Sequence, residues 1–202
     1  MARNLVLKAG CTVPFPEKLF EGYETGQHCI FANVGVDKIE SMMQHFIAMH
    51  DEPLFFILEL PCRKEDETEI GPGKVEKLHK DVYYIDGCSQ GKALSVLSQV
   101  GGILFHDGMS VFGFGGHYSQ DEILFGKYNV VTIYTKNQEA YADFFSAHEI
   151  EPTKGLVTAW QTFSRDYPGV SNRYEADGKS AFDIPEQLKD LGIYFAERRE
   201  EK

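Results

Sequence analysis

Cysteine is scarce in this 202-residue chain and long apolar stretches are missing, and both shortages narrow what it can be. The four cysteines, Cys11, Cys29, Cys62 and Cys88, include no C-x-x-C pair. Zinc ribbons and thioredoxin-like redox centres need such a pair, and small secreted domains that depend on disulfides are denser in cysteine. Four reduced thiols in a reducing, cytoplasmic compartment are expected. The apolar triplet Leu5-Val6-Leu7 is cut short by Lys8, with Pro14 and Pro16 beyond it. A secretory signal needs about 7–15 continuous apolar residues, so export is not expected. Ala9-Gly10-Cys11 has the small residues of a lipoprotein cleavage site, but Lys8 stands where that site needs an apolar residue. No run approaches the roughly 20 apolar residues of a membrane-spanning helix.

Positive charge is also in short supply, with 20 Lys and Arg against 31 Asp and Glu, a net charge of −11. Gripping a phosphate backbone depends on Lys and Arg displacing counterions, so nucleic acid is not an expected partner. An acidic excess keeps a chain soluble or draws in a basic protein partner. The hydrophobic share, 43%, and the charged share, 25%, are those of a globular protein. A chain this long buries roughly 70% of its unfolded surface, enough core to fold without a metal or a cofactor.

Periodicity then sketches the elements. Residues 1–25 read as irregular. His28–Val34 reads as a strand. Ile39, Met42, Met43, Phe46 and Ile47 fall at helical spacing on one face, and Pro53 closes that helix. Leu54-Phe55-Phe56-Ile57-Leu58 is a continuous apolar run, the pattern of a strand buried on both faces. A loop from Pro61 to Gly73 carries the acidic run Glu65-Asp66-Glu67-Thr68-Glu69. Val82–Ile85 is a further strand, followed by a helix with Ala93, Val96, Leu97 and Val100 on one face and Gly101-Gly102 at its end. Asp107-Gly108 between apolar runs predicts a tight hairpin. Gly126-Lys127 carries a weaker signal of the same kind, and Asp177-Gly178 is a third hairpin candidate, joining 173–175 to 180–182. Three more helices are expected. One runs over 137–148, capped by Asn137. The second spans about 154–164, with Leu156, Trp160 and Phe163 on one side. The third is short, with Pro185 in its first turn and Gly192 after it. Ile193–Ala196 reads as a last strand before a charged tail. With no repeat and no linker, the expectation is one α+β domain spanning residues 1–202, a mostly antiparallel mixed sheet with about five helices packed against it.

Few motifs carry chemistry. Gly87-Cys88-Ser89-Gln90-Gly91 fits G-x-S-x-G between a strand and a helix. Over this pentapeptide alone the chain resembles the α/β-hydrolases, whose tight turn lifts a serine oxygen above the sheet. That resemblance implies Ser89 as nucleophile, His117 or His148 as base, and Asp107 or Asp143 as orienting acid. The hairpins expected downstream do not suit a fold that needs parallel strands with helical crossovers, and Ser89 equally suits a helix cap. Gly91-Lys92-Ala93 is one residue short of a phosphate loop and lacks its hydroxyl. Gly113-Phe114-Gly115-Gly116-His117 follows a strand, where glycine serves close backbone approach. His106, His117 and Asp121, with Asp107 and Glu122 nearby, are the candidate metal ligands if neighbouring strands align them. Cys88 before a helix is a candidate activated thiol.

Without a catalytic constellation beyond one pentapeptide, the sequence points to a non-enzymatic acidic binding module. Its most concrete form is a bacterial immunity or antitoxin-type protein that neutralises a basic partner. The expected contact residues are Glu65, Asp66, Glu67, Glu69, Asp121 and Glu122, because acidic groups set on-rate and specificity toward a cationic surface. Two alternatives stand beside it: a small hydrolase using Ser89 or a His106/His117 metal site, and a homo-oligomeric structural or regulatory domain.

Overall fold

Eight strands hydrogen-bond into one sheet: β1 Gly22–Thr25, β2 Cys29–Asn33, β3 Leu54–Pro61, β4 His79–Cys88, β5 Val111–Gly116, β6 Glu122–Phe125, β7 Val130–Tyr134 and β8 Tyr194–Glu200. The computed structural model describes residues 3–67, 69–72, 74–75 and 77–201, so Thr68 and Gly73 of the acidic loop lie outside the described residues. The strand order is β8-β4-β3-β5-β6-β7-β2-β1. Every pairing in it is antiparallel. Among the described residues four α-helices accompany the sheet: α1 Val36–Met49, α2 Gln90–Leu104, α3 Ala142–Ala147 and α4 Ile184–Gln187. The α+β expectation holds, with four α-helices rather than five.

The apolar run 54–58 becomes the central strand β3. Leu54, Phe56, Leu58 and Leu60 point to the face covered by α1 and α2. The stripe Ile39, Met42, Met43, Phe46 and Ile47 of α1 meets Ala93, Val96, Leu97 and Val100 of α2 over that face, all of them buried. Each fully buried large side chain contributes about 1.5–3 kcal/mol, so this layer carries most of the apolar stabilisation. A smaller cluster of Leu5, Val13, Leu19, Tyr128 and Ala159 seals one corner.

Several expectations are corrected. Helix α2 does not stop at Gly101-Gly102 but continues to Leu104. Burying Ile103 and Leu104 outweighs the roughly 1 kcal/mol that each glycine costs a helix. Gly101 is also required, because a Cβ there would sit 2.7 Å from the Phe105 ring. The Asp107-Gly108 hairpin consequently does not form. Asp107 instead accepts N–H groups from Met109 (3.0 Å), Ser110 (2.7 Å) and Tyr174 (2.9 Å), and its turn hands α2 to β5. The helix expected over 154–164 shrinks to one 3-10 turn, Ala159–Thr162. Gly155 sits at φ +65°, and the Glu24 carboxylate takes the N–H groups of Gly155 and Leu156. Asn137 makes no side-chain cap, and the helix after it begins as a 3-10 turn, Gln138–Tyr141. Residues 22–25, read as irregular, form β1. The charged tail is strand through Glu200, held to β4 by a bidentate pair from Arg198 to Asp81 at 2.6 and 3.0 Å. The other two expected hairpins do form. One joins β6 to β7. The other pairs Glu175–Ala176 with Lys179–Ser180 through Asp177 and Gly178, both at positive φ.

Candidate functional site

With α1 and α2 on one face, the other face of the sheet carries no helical layer among the described residues, and strand register arranges its side chains in rows. Phe55, Gly115, Glu122, Tyr134 and Cys29 follow one another across β3, β5, β6, β7 and β2. The next row runs Tyr194, Tyr84, Ile57, Gly113, Leu124, Thr132 and Phe31, from β8 to β2. Tyr134 is 48% exposed, Tyr194 46% and Phe31 42%. The glycines of β5 shape the middle. A Cβ on Gly113 would lie 1.8 Å from the Ile123 carbonyl oxygen, so β5 and β6 close up only over glycine. At Gly115 the space a Cβ would occupy holds the Phe55 ring, which meets the His117 ring edge-on at 5.4 Å.

Two carboxylates stand on this face in opposite circumstances. Glu59 is buried and neutralised, with Lys80 Nζ at 2.5 Å and an Arg199 nitrogen at 3.5 Å. Glu122 is half-buried, and no hydrogen bond or ion pair reaches its carboxylate from the described residues. Burial first, and the Glu59 charge second, hold the Glu122 carboxyl above the usual carboxylate range, with Arg199 opposing. The phenols of Tyr134 and Tyr84 are pushed up chiefly by burial, with the Glu122 charge adding to it. A desolvated acid between aromatic rings is the chemistry that receives a cationic side chain.

The residues singled out from sequence do not converge on one place. Glu65, Asp66, Glu67 and Glu69 sit beyond the Pro61 end of β3. Asp121 and Glu122 flank its other end, about 20 Å away at the rise of a strand. Glu67 is spent locally, accepting from the His79 backbone N–H and Nδ1 at 2.7 Å each, and His79 holds its carboxyl low. Asp66 faces Arg198 at 3.7 Å. Glu65 and Glu69 are exposed. Asp121 accepts from the Tyr141 hydroxyl at 2.9 Å and lies 3.3 Å from His50 Nε2, in a buried knot whose His50 Nδ1 is 2.8 Å from the Phe46 carbonyl. Burial, then the Asp121 charge, raises the Tyr141 phenol far above its ordinary value.

The hydrolase arrangement is not assembled. Ser89 Oγ accepts the Lys92 N–H at 3.1 Å as the N-cap of α2. His117 Nε2 faces Asp86 at 3.7 Å, and His148 lies against His45 and Ser41 at 3.2 and 3.3 Å. Asp143 is exposed on α3, and Asp107 organises the turn described above. His106 packs at a tilt against Tyr174 just past the C-terminal end of α2, whereas His117 and Asp121 lie at the opposite end of the sheet. Among the described residues no three His, Cys, Asp or Glu side chains gather as a metal site needs. Cys88 is buried and donates to the Ile85 carbonyl at 3.4 Å, and burial raises its thiol, the reverse of activation.

The residues that sequence reasoning did not single out are Phe31, Phe55, Tyr84, Tyr134 and Tyr194. The available signal was alternation: Phe31 between Ile30 and Ala32, and Tyr134 next to Ile133, belong to strands whose neighbours are buried. Comparison with protein-family models, curated proteins and solved structures returns no match to this chain.

Proposed function

We propose that the protein is a non-enzymatic binding module that captures a basic protein partner on the helix-free face of its sheet, in the manner of an immunity or antitoxin-type protein neutralising a basic toxin. The observation that carries this reading is Glu122, a half-buried carboxylate with no ion-pair partner among the described residues, set between Tyr134 and the Phe55–Tyr84 side of the sheet. A Lys or Arg from a partner would relieve its desolvation, gain the ion pair and rest on aromatic rings, a cation–π contact worth about 0.5–2 kcal/mol. Tyr and Phe are the anchors that interfaces favour. The chain's −11 charge accelerates encounter with a basic surface.

The test is affinity capture from the source cells with wild type and a Glu122→Lys variant. Glu122 is only half-buried, at the surface of the sheet, and circular dichroism would verify that the variant keeps the fold. A basic protein retained by wild type, released by about 1 M salt, where the Debye length is about 3 Å, and missing from the variant supports the reading. The toxin form of the reading further requires that the captured protein, expressed alone, arrests growth and that this chain restores it. A captured set that contains no basic protein, or that is identical for wild type and variant, refutes the proposal.

A further inference from the structure

At the Pro61 end of the sheet, far from Glu122, the surface opens into a depression of about 520 Å³ lined by Cys62, Arg63, Lys64, Met109, Arg173 and Phe182. Pockets for small organic ligands span about 300–1,000 Å³. In a chain with eleven more acids than bases, three cations gather here. None of Arg63, Lys64 and Arg173 has an ion pair among the described residues, although Arg198 and Arg199 each have two. Arg173 and Arg63 both lie over the Phe182 ring, their guanidinium carbons 4.0 and 5.7 Å from its centroid. A guanidinium laid on an aromatic ring keeps its in-plane N–H donors free, and those donors form the fork that matches a phosphate or carboxylate. No acceptor takes the donors of either residue among the described residues.

The surroundings admit an anion. Asp183, which feels the Arg63 charge, spends its carboxylate on the Ser180 N–H and hydroxyl at 2.7 and 3.1 Å. Asp66 and Asp81 are occupied by Arg198. Glu65 also lines the depression, one exposed acid against three bases. Cys62 donates to Asp81 at 3.3 Å, and burial with that hydrogen bond pushes its thiol up to about 12, so it brings no negative charge at neutral pH.

We propose that this depression binds a small phosphate monoester, its phosphate bridged by Arg63 and Arg173 with Lys64 beside them. Three cations match a phosphate monoester, which carries about −1.5 to −2 at neutral pH, better than a single carboxylate. A nucleic-acid chain is disfavoured because the rest of the surface repels a polyanion. The inference is independent of the partner-capture reading, since the two sites share no residue.

The experiment is calorimetric titration of the full chain with adenosine monophosphate, glucose phosphate and phosphoserine, each beside its dephosphorylated parent. Saturable one-to-one binding of at least one ester is expected, with no binding of its parent. Arg63→Ala and Arg173→Ala should each weaken it about tenfold or more, the scale of a lost charge-assisted hydrogen bond. Both residues are exposed, so these variants should melt like wild type, and Glu122→Lys should bind the ester normally. The inference is overturned if no ester saturates up to several millimolar, if a parent binds as tightly as its ester, or if both arginine variants bind unchanged.

Discussion

Replacing Lys8 by methionine should make the protein more stable, and the gain should disappear at alkaline pH. Lys8 is 1% exposed, and its ammonium lies 4.4 Å from the centroid of the Phe125 ring with no hydrogen-bond partner among the described residues. Burial is the main cause that lowers its pKa from 10.5 to about 8, against the opposing pull of Cys11 and Asp107. A depression of that size corresponds to about 3 kcal/mol of penalty on the folded state wherever both states carry the proton. Methionine keeps the length and lays a thioether on the same ring. After subtracting about 1 kcal/mol for the lost cation–π contact, Lys8→Met should gain about 2 kcal/mol at pH 7, a rise in Tm of about 4–8 °C for a chain this long. The sign follows from the lowered value. Below pH 8 both states are charged and the penalty is complete. Between 8 and 10.5 the unfolded chain holds the extra proton, so wild-type stability climbs with pH. Above 10.5 the penalty is gone. Urea melts of both proteins across that range, compared at each pH, cancel the cysteines and tyrosines they share. A variant less stable than wild type at pH 7, or a stability difference that stays constant from pH 8 to 10.5, would refute the reasoning.

Three further outcomes are expected. Glu122→Gln should stabilise the chain by about 0.5–1 kcal/mol at neutral pH by removing a carboxylate that is desolvated by burial and, second, repelled by Glu59. Because the folded carboxyl sits above its ordinary 4.5, wild type recovers that stability on acidification, and thermal melts of the two proteins should coincide below pH 4.5. Asp107→Ala strips three backbone N–H groups of their acceptor and should cost about 2–4 kcal/mol in a urea melt, whereas a catalytic Asp107 would be lost with little effect on stability. Gly113→Ala drives a Cβ into the Ile123 carbonyl and should cost about 3 kcal/mol or more, read as lost soluble yield and a lowered Tm; a variant that melts like wild type would show that β5 and β6 can separate there.

The elements that sequence periodicity located are those whose own residues supply the decisive burial. Ile39 to Ile47 and Leu54 to Leu58 each read correctly because one stripe or one run meets the core directly. The misreadings lie where a distant segment decides. Gly101-Gly102 reads as a stop, yet Phe105 folds back over Gly101 and Ile103 is pulled into the core. Leu156, Trp160 and Phe163 have helical spacing, yet Glu24, on another strand, claims the N–H groups of Gly155 and Leu156. The tail from Glu197 reads only as a run of charges because its partners lie on distant segments, Asp66 and Asp81 for Arg198 and Glu59 for Arg199 among them. The same limit applies to the candidate site. Glu122 was legible as an acidic residue near a turn, but its setting comes from Phe55, Tyr84 and Tyr134, on three other strands, and only register places them around it.

Net charge and site therefore do different work. The acidic loop, which the sequence makes most conspicuous, is partly neutralised at home: His79 takes Glu67 and Arg198 takes Asp66. What remains exposed there, Glu65 and Glu69, is screened by salt and contributes mainly to encounter rate. Glu122 is a single charge, but it is half-desolvated and ringed by apolar surface, where a salt bridge is screened less and an unpaired charge costs more. Partner selection should follow that one carboxylate and its aromatic neighbours, so reversing Glu122 should raise the dissociation rate of a captured partner. Reversing Glu65 and Glu69 together should slow association and flatten its salt dependence, leaving dissociation almost unchanged. Surface-plasmon kinetics that show the opposite assignment would move the binding face from the sheet to the loop.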